Sequence, residues 1–284
     1  MKRITYIIAA LFACTSCSDS FLDTAPKGTY HSGNYDMSTG QELLALATLM
    51  DGYNTFAQQS WPVTAMHCHA ADNSHPGGPS GDGGVDFNQF PTMSFTAANG
   101  MFSSYYSLQF NAITKANEAL KIIEEIETNS GKTTDTEQLK AEAYFIRATA
   151  YFRLTQAFGA VPYVDRVMGK EEEMADQLSA TAIRNKYLPE LIQAINHLPT
   201  RQEQISSGNT GRATQNAARA IIAKTYLYEK DYANCLVYTH QIIDSKDNDL
   251  TTPYAEMFWE KNEFGPESIW EINADFKPDQ NVSI

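Results

Sequence analysis

Cysteine is scarce: four residues in 284. Cys14 and Cys17 lie at the extreme N-terminus, so only Cys68 and Cys235 stand in the body of the chain. Two thiols cannot make the multi-bridge framework of a small secreted scaffold, and they read as two separate buried thiols. Basic residues are also few, with 21 Lys and Arg against 34 Asp and Glu and a net charge of −13. Nucleic-acid binding needs the opposite balance to face phosphates. The apolar run Ile4–Ala13 falls far short of the roughly 20 residues that a transmembrane helix requires. Two catalytic motifs are missing: the phosphate-cradling GxxxxGK[ST] and the GxSxG nucleophile elbow. The Gly-rich run at 77–84 lacks both the lysine and the strand–helix context of a phosphate loop. No catalytic signal rises above background, and no cofactor is expected.

What is present begins with an export signal. Met1-Lys2-Arg3 is a positive start and Ile4–Ala13 a short apolar stretch, so this segment is kept out of fold reasoning. Leu11 to Cys17 resembles a lipobox, the bacterial lipoprotein signal that ends at an acylated cysteine. Small Thr15 and Ser16 precede Cys17, which makes Cys17 the expected lipidation site; the alternative is an ordinary secretory signal. A diacylated cysteine anchors more stably than one chain would. The expected organisation is a signal peptide over 1–16, a tether over 17–37 punctuated by Pro26, Gly28 and Gly33, and a helical repeat domain over 38–284.

Apolar residues make up 43% of the chain and aromatics 11%, enough for a substantial core. Periodicity at three and four residues predicts helices over Thr39–Phe56 and Asn99–Glu127. A third covers the stretch Leu139–Val164, capped by Thr134 or Thr136 and ended by Gly159 and Pro162. A fourth covers Thr181–Leu198, kinked or split near Tyr187 by Pro189. The last two are Thr214–Glu229 and Tyr232–Asp244. Residues 268–272, SIWEI, read as a short strand. The segment 57–98, rich in Gly, Pro, Ser and Asp, reads as a long loop, and long ordered loops are usually functional. The fold class is therefore all-α: tetratricopeptide-like antiparallel helix pairs stacked as an α-solenoid, with long irregular insertions.

Three constellations bear on chemistry. His67-Cys68-His69 with Asp72 and His75 offers metal-ligand types, and alternate residues of a strand share a face. The spacing fits no tetrahedral site, so this is read as a polar loop and no metal is expected. Carboxylates are plentiful, but no local context selects a glycosidase pair, and Glu171-Glu172-Glu173 reads as a solvated face. The long loop also carries rings beside amides and carboxylates. Sugars stack C–H groups on ring faces while their hydroxyls take polar partners. The candidate ligand residues are Trp61, Asp72, Asn73, Phe90, Phe95 and Asn99. The competing reading is that the rings seal the loop onto the second helix.

The stretch EAYFIRATAYFRLTQAFGAVPYV resembles the signature of the SusD/RagB family, outer-membrane nutrient-binding lipoproteins of Bacteroidota. Glu142, Ala143, Arg147, Ala148, Tyr151, Phe152, Phe158, Gly159, Val161 and Pro162 all match. Cys17-Ser18-Asp19 with Phe21-Leu22-Asp23 is similar to the family's mature start. Tyr105-Tyr106 through Ile113 to Ala116-Asn117 is similar to its second helix, with Phe102 where the family usually has Trp. Gly211, Ala213, Thr214, Ala217, Ala218, Tyr226 and Leu227 follow its next motif, and Glu267–Ile272 its Glu-Ser-Ile-x-Glu-Ile strand. Pro189 departs from the pattern. Family members run to roughly twice this length, as such large helical domains do, so the chain looks like an N-terminal portion. The resemblance implies a lipid-anchored protein of the outer membrane's outer face that captures oligosaccharide. It would act as the lid of a TonB-dependent, SusC-like transporter, breaking no bond. The alternatives are a repeat scaffold for peptide or protein partners and, less favoured, an all-helical glycosidase.

Overall fold

The computed structural model describes residues 40–77, 84–169 and 175–272. The expected signal peptide, Cys17, the tether and Glu171–Glu173 lie outside the described residues. The fold is all-α, as the periodicity implied. Helix α1 spans Gln41–Ala57. A helical turn α2, Ser60–Val63, runs into a π-helical turn at Thr64–His69. Another short helix, α3, covers Gly84–Asn88. The segment expected as one long loop is thus partly helical.

Two long helices carry the core. Helix α4, Gly100–Ser130, begins where the Asn99 side chain accepts the Met101 amide. Helix α5, Thr134–Phe158, opens on a capping box in which Thr133 and Thr136 each bond the other's backbone amide. Asp135 and Glu137 in the first turn suit the positive end of its dipole. It ends at Gly159, whose φ of 72° favours glycine. Helix α6 follows as Ala180–Ala194. Pro189 neither splits nor ends it, because Pro189 and Asn185, whose carbonyl loses its partner, lie on the exposed face. Ile183, Tyr187 and Leu191 anchor the opposite face. The last elements are α7 (Arg201–Ser206), α8 (Gln215–Tyr228) and α9 (Tyr232–Ser245). Among the described residues the sole sheet is a two-residue ladder of β1 (Val161–Pro162) with β2 (Gln177–Leu178).

Helix α4 packs between α1 and α5, α5 against α6, and α8 against α9, so sequential helices form antiparallel neighbours. Apolar periodicity predicts one stripe along α5, yet the helix is buried on nearly every side from Ala141 to Phe152. The small residues Ala141, Ala143, Ala148 and Ala150 let α4, α6 and α8 approach it together. The two charged residues within that span, Glu142 and Arg147, are buried by pairing. Glu142 accepts Nε and Nη2 of Arg212 at 2.9 and 2.6 Å, the Tyr53 hydroxyl at 3.0 Å and Gln138 at 3.2 Å. Arg147 donates to Asn117 Oδ1, the Asp165 carbonyl and Glu190 Oε2 at 2.7–2.9 Å.

The segment 268–272 is not a strand. Trp270 folds inward instead: its ring meets Phe145 edge-on at 4.9 Å, and its Nε1 donates to the Gly211 carbonyl at 3.1 Å. Cys68 and Cys235 are unpaired, as expected, but half-exposed rather than buried.

Burial raises the phenols of Tyr163 and Tyr187 to about 12, and those of Tyr53 and Tyr151 are raised as well. The unfolded chain loses these protons near pH 10, whereas the folded chain keeps them. Stability is therefore fully present below about pH 10 and lost as pH rises toward about 12. Urea midpoints should hold from pH 7 to about 9 and fall beyond about 10, with a shallower fall in Tyr187→Phe.

Candidate functional site

A groove of about 580 Å³ opens where the start of α4 meets the end of α5. Phe102, Ser103, Tyr106 and Ser107 supply one wall, Ala157 and Phe158 another, and Met66 and Ala97 the third. Helical spacing builds the first wall: Phe102 and Tyr106 stand one turn apart, as do Ser103 and Ser107. The Gly159 cap fixes Phe158 as the last residue of α5, and its ring meets Tyr106 edge-on at 5.3 Å. Phe102, Tyr106 and Phe158 are all half-buried, so ring surface is left facing the groove. Burial pushes the Tyr106 phenol up, keeping it a neutral donor. The volume lies within the usual range for small-molecule sites, roughly 300–1,000 Å³.

A satellite core roots the third wall. Ala65, Phe87 and Phe90 are buried together, with Met66, Phe95 and Phe102 packed on them. Phe90 meets Phe95 at 5.1 Å and Phe102 at 5.6 Å. The sequence-selected ligand residues divide here. Phe90 and Asn99 are enclosed, at 1% and 2% exposure. Asn99 spends its amide nitrogen on the Asp86 carbonyl and Gln89 Oε1, and its oxygen on capping α4. Both therefore hold the loop and present no surface. Phe95 is half-buried against Phe102. Trp61 is 54% exposed, edge-on to Phe87 at 5.4 Å. Asp72 and Asn73 are exposed on the turn after the π-helix, with Asp72 at φ 58°.

The histidines do not converge. His69 Nδ1 lies 2.9 Å from Ser74 Oγ and His67 Nε2 lies 3.4 Å from the Tyr105 hydroxyl. Among the described residues no group of three His, Cys, Asp or Glu could hold a metal ion. Partial desolvation and the charges of Arg153 and Lys224 lower the His67 pKa, so this imidazole is neutral at pH 7.

Sequence reasoning missed Met66, Ser103, Ser107 and the pairing of Tyr106 with Phe158 as one lining. At helical spacing the rings of α4 and α5 read as packing faces. The serines alternating with rings at i, i+4 spacing were the available signal.

The model of a SusD-like family described as starch-binding and associating with the outer membrane matches residues 27–227. A SusD-like protein of Bacteroides ovatus is 28% identical over 95% of this chain and 49% of its own length. The chain thus spans about half the length of the curated relatives it matches from end to end. Among solved structures, a SusD-like carbohydrate-binding protein of Bacteroides fragilis is 29% identical, with a TM-score of 0.56 over 62% of this chain and 34% of that one. A surface glycan-binding protein of Bacteroides thetaiotaomicron in complex with laminarihexaose shares the fold, with 21% identity and a TM-score of 0.68 over 82% of this chain and 49% of that one.

Proposed function

Because this chain belongs to the SusD-like family, we propose that it captures oligosaccharide at the outer face of the outer membrane and serves as the lid of a TonB-dependent, SusC-like transporter. The observation that carries the ligand class is the groove, with its three half-buried ring surfaces and three hydroxyls. Rings supply the stacking faces that pyranoses need, and the hydroxyls supply exchangeable donors and acceptors. Exposed Trp61 with Asp72 and Asn73 would add contacts from the neighbouring loop. Acylation of Cys17 would hold the protein on the membrane. The laminarihexaose carried by a relative of the same fold supports a glycan as ligand. No bond is broken in this reading.

A second reading is a scaffold that binds only protein partners. It is favoured by α9, which has no buried residue and exposes Tyr232, Leu236, Val237 and Ile243. Glycan-array binding separates the two. Retention of the purified chain on immobilised oligosaccharide, without release of reducing sugar, is the expected result. Silence across the array, with capture by a transporter alone, would favour the scaffold. Sugar release that stops on mutating one carboxylate would instead identify a hydrolase.

A further inference from the structure

The lining of the groove narrows the ligand further, on the premise that the groove binds glycan. Among the described residues, none that lines it is charged. We propose that it takes a neutral oligosaccharide of unsubstituted sugars and rejects uronate and sulfated glycans.

A carboxylate or sulfate placed among Phe102, Tyr106 and Phe158 would lose water and find no cation in return, and burying an unpaired charge is strongly unfavourable. The cations whose charge reaches His67, one residue from Met66, are engaged elsewhere. Arg153 donates to Gln59 Oε1 at 2.7 Å and stacks over the Phe56 ring at 4.9 Å. Lys224 lies over the Phe152 ring at 5.8 Å. His67 itself is neutral at pH 7. The chain's net charge of −13 adds a field that repels polyanions before they arrive. Hydroxyl groups suffer neither penalty, because Ser103, Ser107 and the Tyr106 phenol can each donate or accept.

Calorimetric titration of the whole chain tests this. The probes are neutral maltohexaose, cellohexaose and mannohexaose against hexagalacturonate and a sulfated hexasaccharide. At least one neutral glycan should bind, with affinity unchanged between about 0.05 and 0.5 M salt, since uncharged contacts are not screened. The acidic glycans should bind at least tenfold more weakly. Phe102→Ala should weaken the neutral ligand about tenfold, the scale of one lost stacking face. Ser103→Arg, at an exposed position that cannot unfold the core, should bring in acidic glycan binding that salt then weakens. Tighter binding of an acidic glycan by the unaltered chain would overturn this inference and leave the glycan reading standing. Silence toward all five probes by the cooperatively folded chain would overturn the inference along with that reading.

Discussion

Replacing Glu142 with alanine should lower stability by about 3–5 kcal/mol, the cost of stranding one partner of a buried ion pair. For a chain of this size that is a fall in Tm on the order of 10 °C. The size of the effect follows from what the carboxylate holds. Glu142 is fully buried and accepts the Arg212 fork, Tyr53 and Gln138. The Tyr53 hydroxyl in turn accepts the Ala213 amide at 3.0 Å. One carboxylate therefore ties α1, α5 and the entry to α8. Burial disfavours the Arg212 charge, but the hydrogen bonds and charge of Glu142 outweigh it and raise the Arg212 pKa. Removing Glu142 leaves that guanidinium buried without a counter-charge. The double replacement Glu142→Leu with Arg212→Met should recover much of the loss, because it removes both charges and keeps volume. Urea denaturation of the unaltered chain, Glu142→Leu, Arg212→Met and the double variant gives the coupling energy. A single-variant loss below about 1 kcal/mol, the scale of an exposed pair, would contradict this assignment.

Arg147→Ala should cost a similar amount, about 3–5 kcal/mol, for a different reason. Arg147 joins three separate segments: Asn117 on α4, Glu190 on α6 and the Asp165 carbonyl. Asn117 also reaches the carbonyls of Val164 and Arg166, and Tyr151 bonds both the amide and the carbonyl of Val164. The chain leaving β1 is held by this network. Arg147→Lys keeps the charge but loses the planar fork, so it should restore only part of the stability. Hydrogen exchange should show the Val164 amide deprotected in both variants, more so in the alanine variant. Unchanged exchange there would detach Arg147 from the turn.

Much of this architecture is legible locally. The three- and four-residue periodicity places α1, α4, α8 and α9 within a few residues, and Gly159 acts as the cap its chemistry suggests, whereas the N-cap of α5 is Thr133 and not Thr134 or Thr136. The Glu142–Arg212 pair was not legible, because the partners are 70 residues apart and periodicity reports only neighbours. The strand reading of 268–272 failed: among the described residues no sheet edge pairs with it, and Trp270 finds a ring lattice in Phe145, Phe56 and Tyr53. Pro189 does not split α6, because a proline on a solvated face costs one hydrogen bond that water can replace. The site was half-legible. Ring-and-amide composition pointed to the loop 57–98, but composition cannot tell enclosed Phe90 and Asn99 from exposed Trp61. The groove itself is assembled from residues near 66, 102 and 158, which only the packing of α4 on α5 brings together.

The most direct test of glycan capture in this groove is hydrogen–deuterium exchange of the whole chain, with and without a saturating neutral oligosaccharide. The groove reading predicts ligand protection confined to residues around 61–66, 95–107 and 155–160, with the turn near Asp72 as the one outlying patch. Protection along α9 with the groove unchanged would contradict it.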